Sequence, residues 1–208
     1  MKNDVSQYVD KDSVMTLVGK TKLEVMDQLI SRAADITKLS RDLIFRLVWK
    51  REQMMTTGVG GMLALPHIRI NDILHPYVIV GVCENPIEDY QGQDDQPVRV
   101  IVFTVAPDEN QEAYLQLLSS ISRRLRNPKL IEQMIGTVGN TVDLLAVDIS
   151  ATMRSLLDDQ HTATSLLGTP SDHSTKESGS NYQIIVFLHI FRCDLTARAV
   201  ESLIYFRL

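Results

Sequence analysis

The chain predicts an α/β domain in which helices cover a sheet, and three observations carry that expectation. Two apolar, β-rich runs, Tyr77–Cys83 and Val98–Val105, have the composition of strands buried on both faces. Amphipathic segments with helical spacing lie before and after them. Strand and helix patterns alternate along the chain, the signature of layered α/β packing.

Val14–Val18 reads as a short first strand. Thr21-Lys22-Leu23-Glu24 has the form of a capping box, in which threonine and glutamate satisfy the exposed donors of a helix start. Leu23, Met26, Leu29, Ile30 and Ala33 follow at helical spacing as its inward face. A second helix is predicted from a Ser40 cap to about Glu52, with Leu43, Ile44, Leu47 and Val48 inward. Next comes Thr56-Thr57-Gly58-Val59-Gly60-Gly61, then the apolar run Met62–Leu65, which ends at Pro66-His67. The run reads as a short buried strand with one imidazole at its end, aimed by a stiff proline. Glu84–Gln96 is a polar surface loop between the two long strands. Gln111–Leu125 is an amphipathic helix that turns Leu115, Leu118, Ile121, Ser122 and Leu125 inward. Asn127-Pro128 starts a short helix that Gly136 stops, and Val142–Leu157 reads as another helix.

Composition changes at residue 158. Asp158–Asn181 is rich in Ser, Thr, Asp, Gly and His and reads as a linker. Tyr182–Ile190 is then a strand and Leu195–Phe206 a helix, too little to bury a core alone. The expected organisation is a domain over residues 1–157, a linker over 158–181, and a βα extension over 182–208 that resembles the start of a ferredoxin-like domain. The continuous apolar run Ile184–Leu188 needs cover on both faces. Either it packs on the main domain or two chains exchange it in a homodimer.

Bulk properties narrow the function. A chain of 208 residues that is 44% apolar has material for a sizeable core. A net charge of −5 with mixed signs argues against nonspecific nucleic-acid binding. Cys83 and Cys193 are far apart in apolar surroundings and read as reduced thiols. The opening residues lack a signal-peptide pattern, and no apolar stretch approaches the roughly 20 residues of a membrane helix. The expectation is a cytoplasmic protein without membrane insertion. The histidines show no metal-ligand spacing and the glycines no nucleotide fingerprint, so neither a metal nor a cofactor is expected.

Arg51-Glu52, Thr56-Thr57-Gly58-Val59-Gly60 and Ala64-Leu65-Pro66-His67 together resemble the enzyme IIA domains of the bacterial phosphotransferase system, fructose/mannitol/nitrogen-regulatory class. The resemblance covers about Val14 to about Leu157. It implies a mixed sheet flanked by helices and a phosphoryl group accepted on His67 from the carrier protein HPr. The acceptor would be a IIB domain or, in a regulatory member, nothing downstream, phosphorylation itself controlling a target protein. Neutral imidazole suits this chemistry as a nucleophile near neutral pH. It needs an acceptor on the other ring nitrogen and an accessible, partly exposed depression that a protein donor reaches. Arg51 is expected to fork onto phosphate oxygens and Thr57 to offer a neutral donor. The family pattern His-Leu-x-Leu-Leu reads here Tyr114-Leu115-Gln116-Leu117-Leu118, so Tyr114 replaces a second histidine. A neutral phenol holds a phosphoryl group less strongly or changes its acceptor. The rival expectation is a non-catalytic module that binds an anion or a partner with the same pocket. A third is a soluble regulatory piece of a transporter.

Overall fold

The computed structural model describes residues 11–109, 111–136 and 138. A 3-10 turn at Lys11–Ser13 leads into β1 (Val14–Leu17), then α1 (Lys22–Thr37) and α2 (Arg41–Met54). The strands β2 (Gly58–Gly60), β3 (Leu63–Ala64), β4 (His67–Ile70), β5 (Tyr77–Cys83) and β6 (Val100–Pro107) follow. The helices α3 (Gln111–Leu125) and α4 (Pro128–Gly136) come after β6. The expected Val142–Leu157 helix, the 158–181 linker and the 182–208 extension lie outside the described residues.

The strands form one mixed sheet in the order β1-β5-β6-β3-β2, with β4 also on β6. β6 is central: it runs antiparallel to β5 and parallel to β3 and β4. Side chains alternate across it. Ile79, Ile101 and Phe103 pack under α1 and α2 with Val25, Met26, Leu29, Ile30, Ile44 and Val48. Val78, Val80, Val100 and Val102 pack under α3 and α4 with Leu117, Ile121, Leu125, Leu130, Ile131 and Met134. Cover on both faces explains why the central strands are continuous apolar runs. Each such side chain contributes roughly 1.5–3 kcal/mol by leaving water.

The capping box of α1 forms: the Thr21 hydroxyl accepts from the Glu24 amide at 3.3 Å, and the Glu24 carboxylate accepts from the Thr21 amide at 3.1 Å. Other local expectations shift. Leu23 is exposed and Val25 takes the inward place. Ser40 makes no side-chain cap bond. In α3 the buried face is Tyr114, Leu117, Leu118, Ile121 and Leu125, so Tyr114 faces inward and Leu115 lies half-buried. An amphipathic stripe of this width admits either neighbour at its margin, and tertiary packing chooses.

The strand expected to end at His67 does not end there. β3 and β4 keep the same register against β6 on both sides of Pro66. Pro66 lacks a donor but its carbonyl still accepts from the Thr104 amide at 3.0 Å. His67 therefore stands within a continuous edge rather than at a tip.

The glycine segment makes a tight β2–β3 hairpin, with positive φ at Gly61 (61°) and Met62 (62°) in succession. Gly58 is required for a different reason. A Cβ there would lie 2.4 Å from the Gln91 carbonyl oxygen, because the 84–96 loop crosses directly over it. Gly58→Ala should therefore destabilise the protein by roughly 1–3 kcal/mol through overpacking. Urea unfolding of the variant checks this, and an unchanged midpoint contradicts it.

Candidate functional site

The site begins at the last turn of α2. Arg51 and Glu52 are adjacent there and take different directions. Glu52 is buried, and its carboxylate accepts from Lys22 Nζ, from the Thr57 amide at 3.0 Å and from Thr57 Oγ1 at 2.7 Å. Thr57 Oγ1 also lies 2.5 Å from the Tyr90 hydroxyl. The single threonine proton goes to Glu52, so the Tyr90 O–H is the donor in that second bond. Burial, then the neighbouring Glu52, holds the Tyr90 pKa well above its usual value and keeps that proton in place. Lys22 Nζ stands 4.1 Å above the Tyr90 ring.

This arrangement fixes the main chain that holds His67. The Thr57 carbonyl accepts from the Leu65 amide at 2.9 Å. The Leu65 carbonyl lies 2.7 Å from His67 Nδ1. Arg51 donates Nε–H to His67 Nε2 at 3.1 Å and Nη1–H to the Met55 carbonyl at 3.2 Å. A guanidinium only donates, so Nε2 must be the bare nitrogen and Nδ1 the protonated one. Both neighbours thus select one tautomer, whose lone pair sits on Nε2.

His67 is 2% exposed, which corrects the expectation of a partly exposed depression. It is covered by polar and aromatic groups as well as by strands. The Tyr114 ring lies 6.0 Å from the imidazole, centroid to centroid. Arg69, two residues along the same face of β4, places its guanidinium carbon 5.3 Å from the Tyr114 ring centroid and pairs with Asp108 at 3.5 Å. Burial first, then Arg51 and Arg69, push the His67 pKa down from 6.5 to about 3, against the opposing effect of the Leu65 carbonyl. The ring is neutral at every physiological pH.

His67, Arg51 and Tyr114 come together in one place. Thr57 does so only through the main chain. Its hydroxyl proton is committed to Glu52, and the residue holds the Leu65 amide, so the expected donation from its side chain to a phosphate is replaced by a positioning role. Sequence reasoning missed Lys22, Tyr90 and Arg69. Arg69 was within reach, because a residue two places along a strand shares its face. Lys22 and Tyr90 are brought in by tertiary structure and carry no local signal. Among the described residues no three His, Cys, Asp or Glu side chains are grouped to hold a metal ion.

The profile of the phosphoenolpyruvate-dependent sugar phosphotransferase system, EIIA 2, matches residues 7–147. The chain belongs to this family. Family membership makes it a phosphocarrier or regulatory domain of that system. It is 26% identical over 131 residues to a nitrogen regulatory protein of Bradyrhizobium diazoefficiens, covering 62% of this chain and 85% of the relative. The crystal structure of nitrogen regulatory protein IIA-Ntr from Neisseria meningitidis is similar with a TM-score of 0.62 and 18% identity, over 74% of this chain and 98% of that one. The IIA mannitol enzyme of Escherichia coli, solved in complex with phosphorylated enzyme IIB, is similar with a TM-score of 0.53 and 16% identity, over 68% of this chain and 95% of that one. These structures share the fold expected from the sequence, a mixed sheet flanked by helices. No helix among the described residues is long and apolar enough to cross a membrane.

Two outcomes test the geometry. With the folded-state pKa of His67 at about 3, below the ordinary 6.5, the unfolded chain binds the extra proton between these values. The stability this group contributes is therefore complete above about pH 6.5 and falls as pH drops toward 3. Urea unfolding from pH 7 to 4 should show a shallower pH slope for His67→Gln than for the parent, and equal slopes contradict the assignment. Thr57→Val should cost roughly 1–3 kcal/mol, because Glu52 loses a donor inside the protein, and Thr57→Ser should restore most of it. Equal losses in both variants would place the effect in packing instead.

Proposed function

We propose that His67 accepts a phosphoryl group on Nε2 from the phosphohistidine of an HPr-type carrier protein. The observation that carries this reading is the single bare nitrogen, Nε2, held neutral with the Arg51 guanidinium directly on it. The Nε2 lone pair forms the new N–P bond while the donor's N–P bond breaks and its electron pair returns to the donor nitrogen. No proton has to leave His67, because Nδ1–H remains on the Leu65 carbonyl. The ring takes up positive charge in the adduct, and that carbonyl faces it. Arg51 must leave Nε2 for phosphorus to approach, and it then turns its remaining donors to the phosphoryl oxygens. Tyr114 lines the same space and offers at most one neutral hydrogen bond.

The likeness to nitrogen regulatory proteins supports a regulatory member, in which the phosphorylation state controls a target protein. Onward transfer to a IIB domain is the alternative within the same chemistry, supported by the IIA–IIB pairing of the mannitol enzyme. A non-catalytic anion- or partner-binding module is the second reading, and the closed site over His67 favours it. The proposed setting is the cytoplasm, where phosphocarrier proteins work.

Incubation with phosphoenolpyruvate, enzyme I and an HPr-type carrier should add one phosphate-sized mass, and His67→Ala should abolish it. Tyr114→Phe should slow labelling by up to about tenfold, the worth of one neutral hydrogen bond. Undiminished labelling of His67→Ala removes the assignment. An unlabelled parent chain with every carrier tried hands the site to the binding module.

A further inference from the structure

One polar side chain beside His67 has no hydrogen-bond partner among the described residues. Thr104 of β6 is the register partner of His67 across the β4–β6 pair, and neighbouring strands lie about 4.8 Å apart. Both side chains point to the α3 face. The residues two places before them, Leu65 and Val102, belong to the core beneath α3 and α4, and side chains alternate along a strand. On its other side Thr104 is paired with Val78 of β5, another member of that core. Thr104 is 0% exposed, and its Oγ1 has no hydrogen-bond partner among the described residues. His67 cannot supply one at rest, since Nδ1 serves Leu65 and Nε2 is taken by Arg51. A buried hydroxyl without a partner destabilises a fold, and valine would fill the same shape without that cost. Packing therefore gives no reason for a threonine here.

We propose that Thr104 is a phosphoryl-contacting residue, whose Oγ1–H is idle in the resting protein and donates to a phosphoryl oxygen once His67 Nε2 is phosphorylated. The proposal rests on the reading of His67 as phosphoryl acceptor. The three oxygens lie one P–N and one P–O bond beyond a ring whose register partner on the adjacent strand is Thr104, and they can accept a bond beside those from Arg51 and Tyr114. Its register partner on β5, Val78, and the residue two places back on β6, Val102, are apolar, so the His67 side is where a polar partner can enter.

The test uses the full chain, with His67 phosphorylated both by the carrier protein and, independently of any protein donor, by potassium phosphoramidate. In the unphosphorylated state Thr104→Val should raise Tm by about 2–4 °C, because an unsatisfied group is removed. In the phosphorylated state the order should reverse, with the parent and Thr104→Ser melting above Thr104→Val. An equal rise in both states makes the hydroxyl merely a packing defect and overturns the proposal. A fall in Tm of unphosphorylated Thr104→Val reveals a resting partner, such as a buried water, and overturns it equally. If the carrier fails to label the chain but the phosphoramidate product shows the reversal, the proposal stands and the transfer reading falls. If neither reagent labels His67, both fall.

Discussion

Glu52 carries a charge at a position that is 7% exposed, and its two oxygens collect three donors from two elements. Placing a carboxylate there costs several kcal/mol in lost hydration, which only well-placed donors offset. Lys22 supplies the opposite charge from the first turn of α1, and Thr57 supplies both its amide and its hydroxyl. The result ties the start of α1, the end of α2 and the approach to β2 to one point. The hydrogen bonds on both ring nitrogens of His67 trace back to it. Thr57 holds the Leu65 amide, and Leu65 holds the imidazole Nδ1. The helix that ends in Glu52 also presents Arg51, so the groups on the two ring nitrogens share one anchor.

On the proposed reading, the same groups that disfavour a proton on His67 would favour a phosphoryl group. A protonated imidazole would be a third positive charge beside Arg51 and Arg69, in a place without water to screen it. A phosphoryl group brings negative charge that exceeds the positive charge gained by the ring, so the sign of the interaction reverses. Cations in a buried site stabilise such charge more than they would in water. The depressed basicity is thus not a defect of the nucleophile. It keeps the lone pair free of protons, and the proposed N–P bond would form with compensation that a proton does not receive.

The sheet and its helices were legible because the signals were local and redundant. Tyr77–Cys83 and Gln111–Leu125 are bounded in the structure as their composition requires, and the Thr21–Glu24 box closes. His67 and Arg51 were legible through a compact motif. Three features were not. Pro66 suggested a strand end, yet a parallel partner at that position needs only its carbonyl. The burial of His67 depends on α3 and α2 closing from opposite sides, which no window around the motif contains. The assignment of Thr57 to Glu52 rather than to a ligand needed Lys22 and Tyr90, which lie 35 and 33 residues away in sequence.

Tyr114 shows how a substitution at one position is coupled to its neighbour. Its ring lies 6.0 Å from the His67 ring and 5.3 Å from the Arg69 guanidinium carbon. A cation is attracted to an aromatic face, by roughly 0.5–2 kcal/mol depending on exposure. A neutral phenol therefore accepts Arg69 beside it, whereas a protonated imidazole at position 114 would repel it. Beside that ring stands Arg69, two residues along β4 from His67 and paired with Asp108 at 3.5 Å. A guanidinium is a permanent cation, whereas an imidazole titrates near neutrality. A tyrosine rather than a histidine at position 114 leaves no titratable imidazole there and places the Arg69 guanidinium over an aromatic ring. The positive charge near His67 then comes from the guanidinium groups of Arg51 and Arg69, with an aromatic ring 6.0 Å from the imidazole.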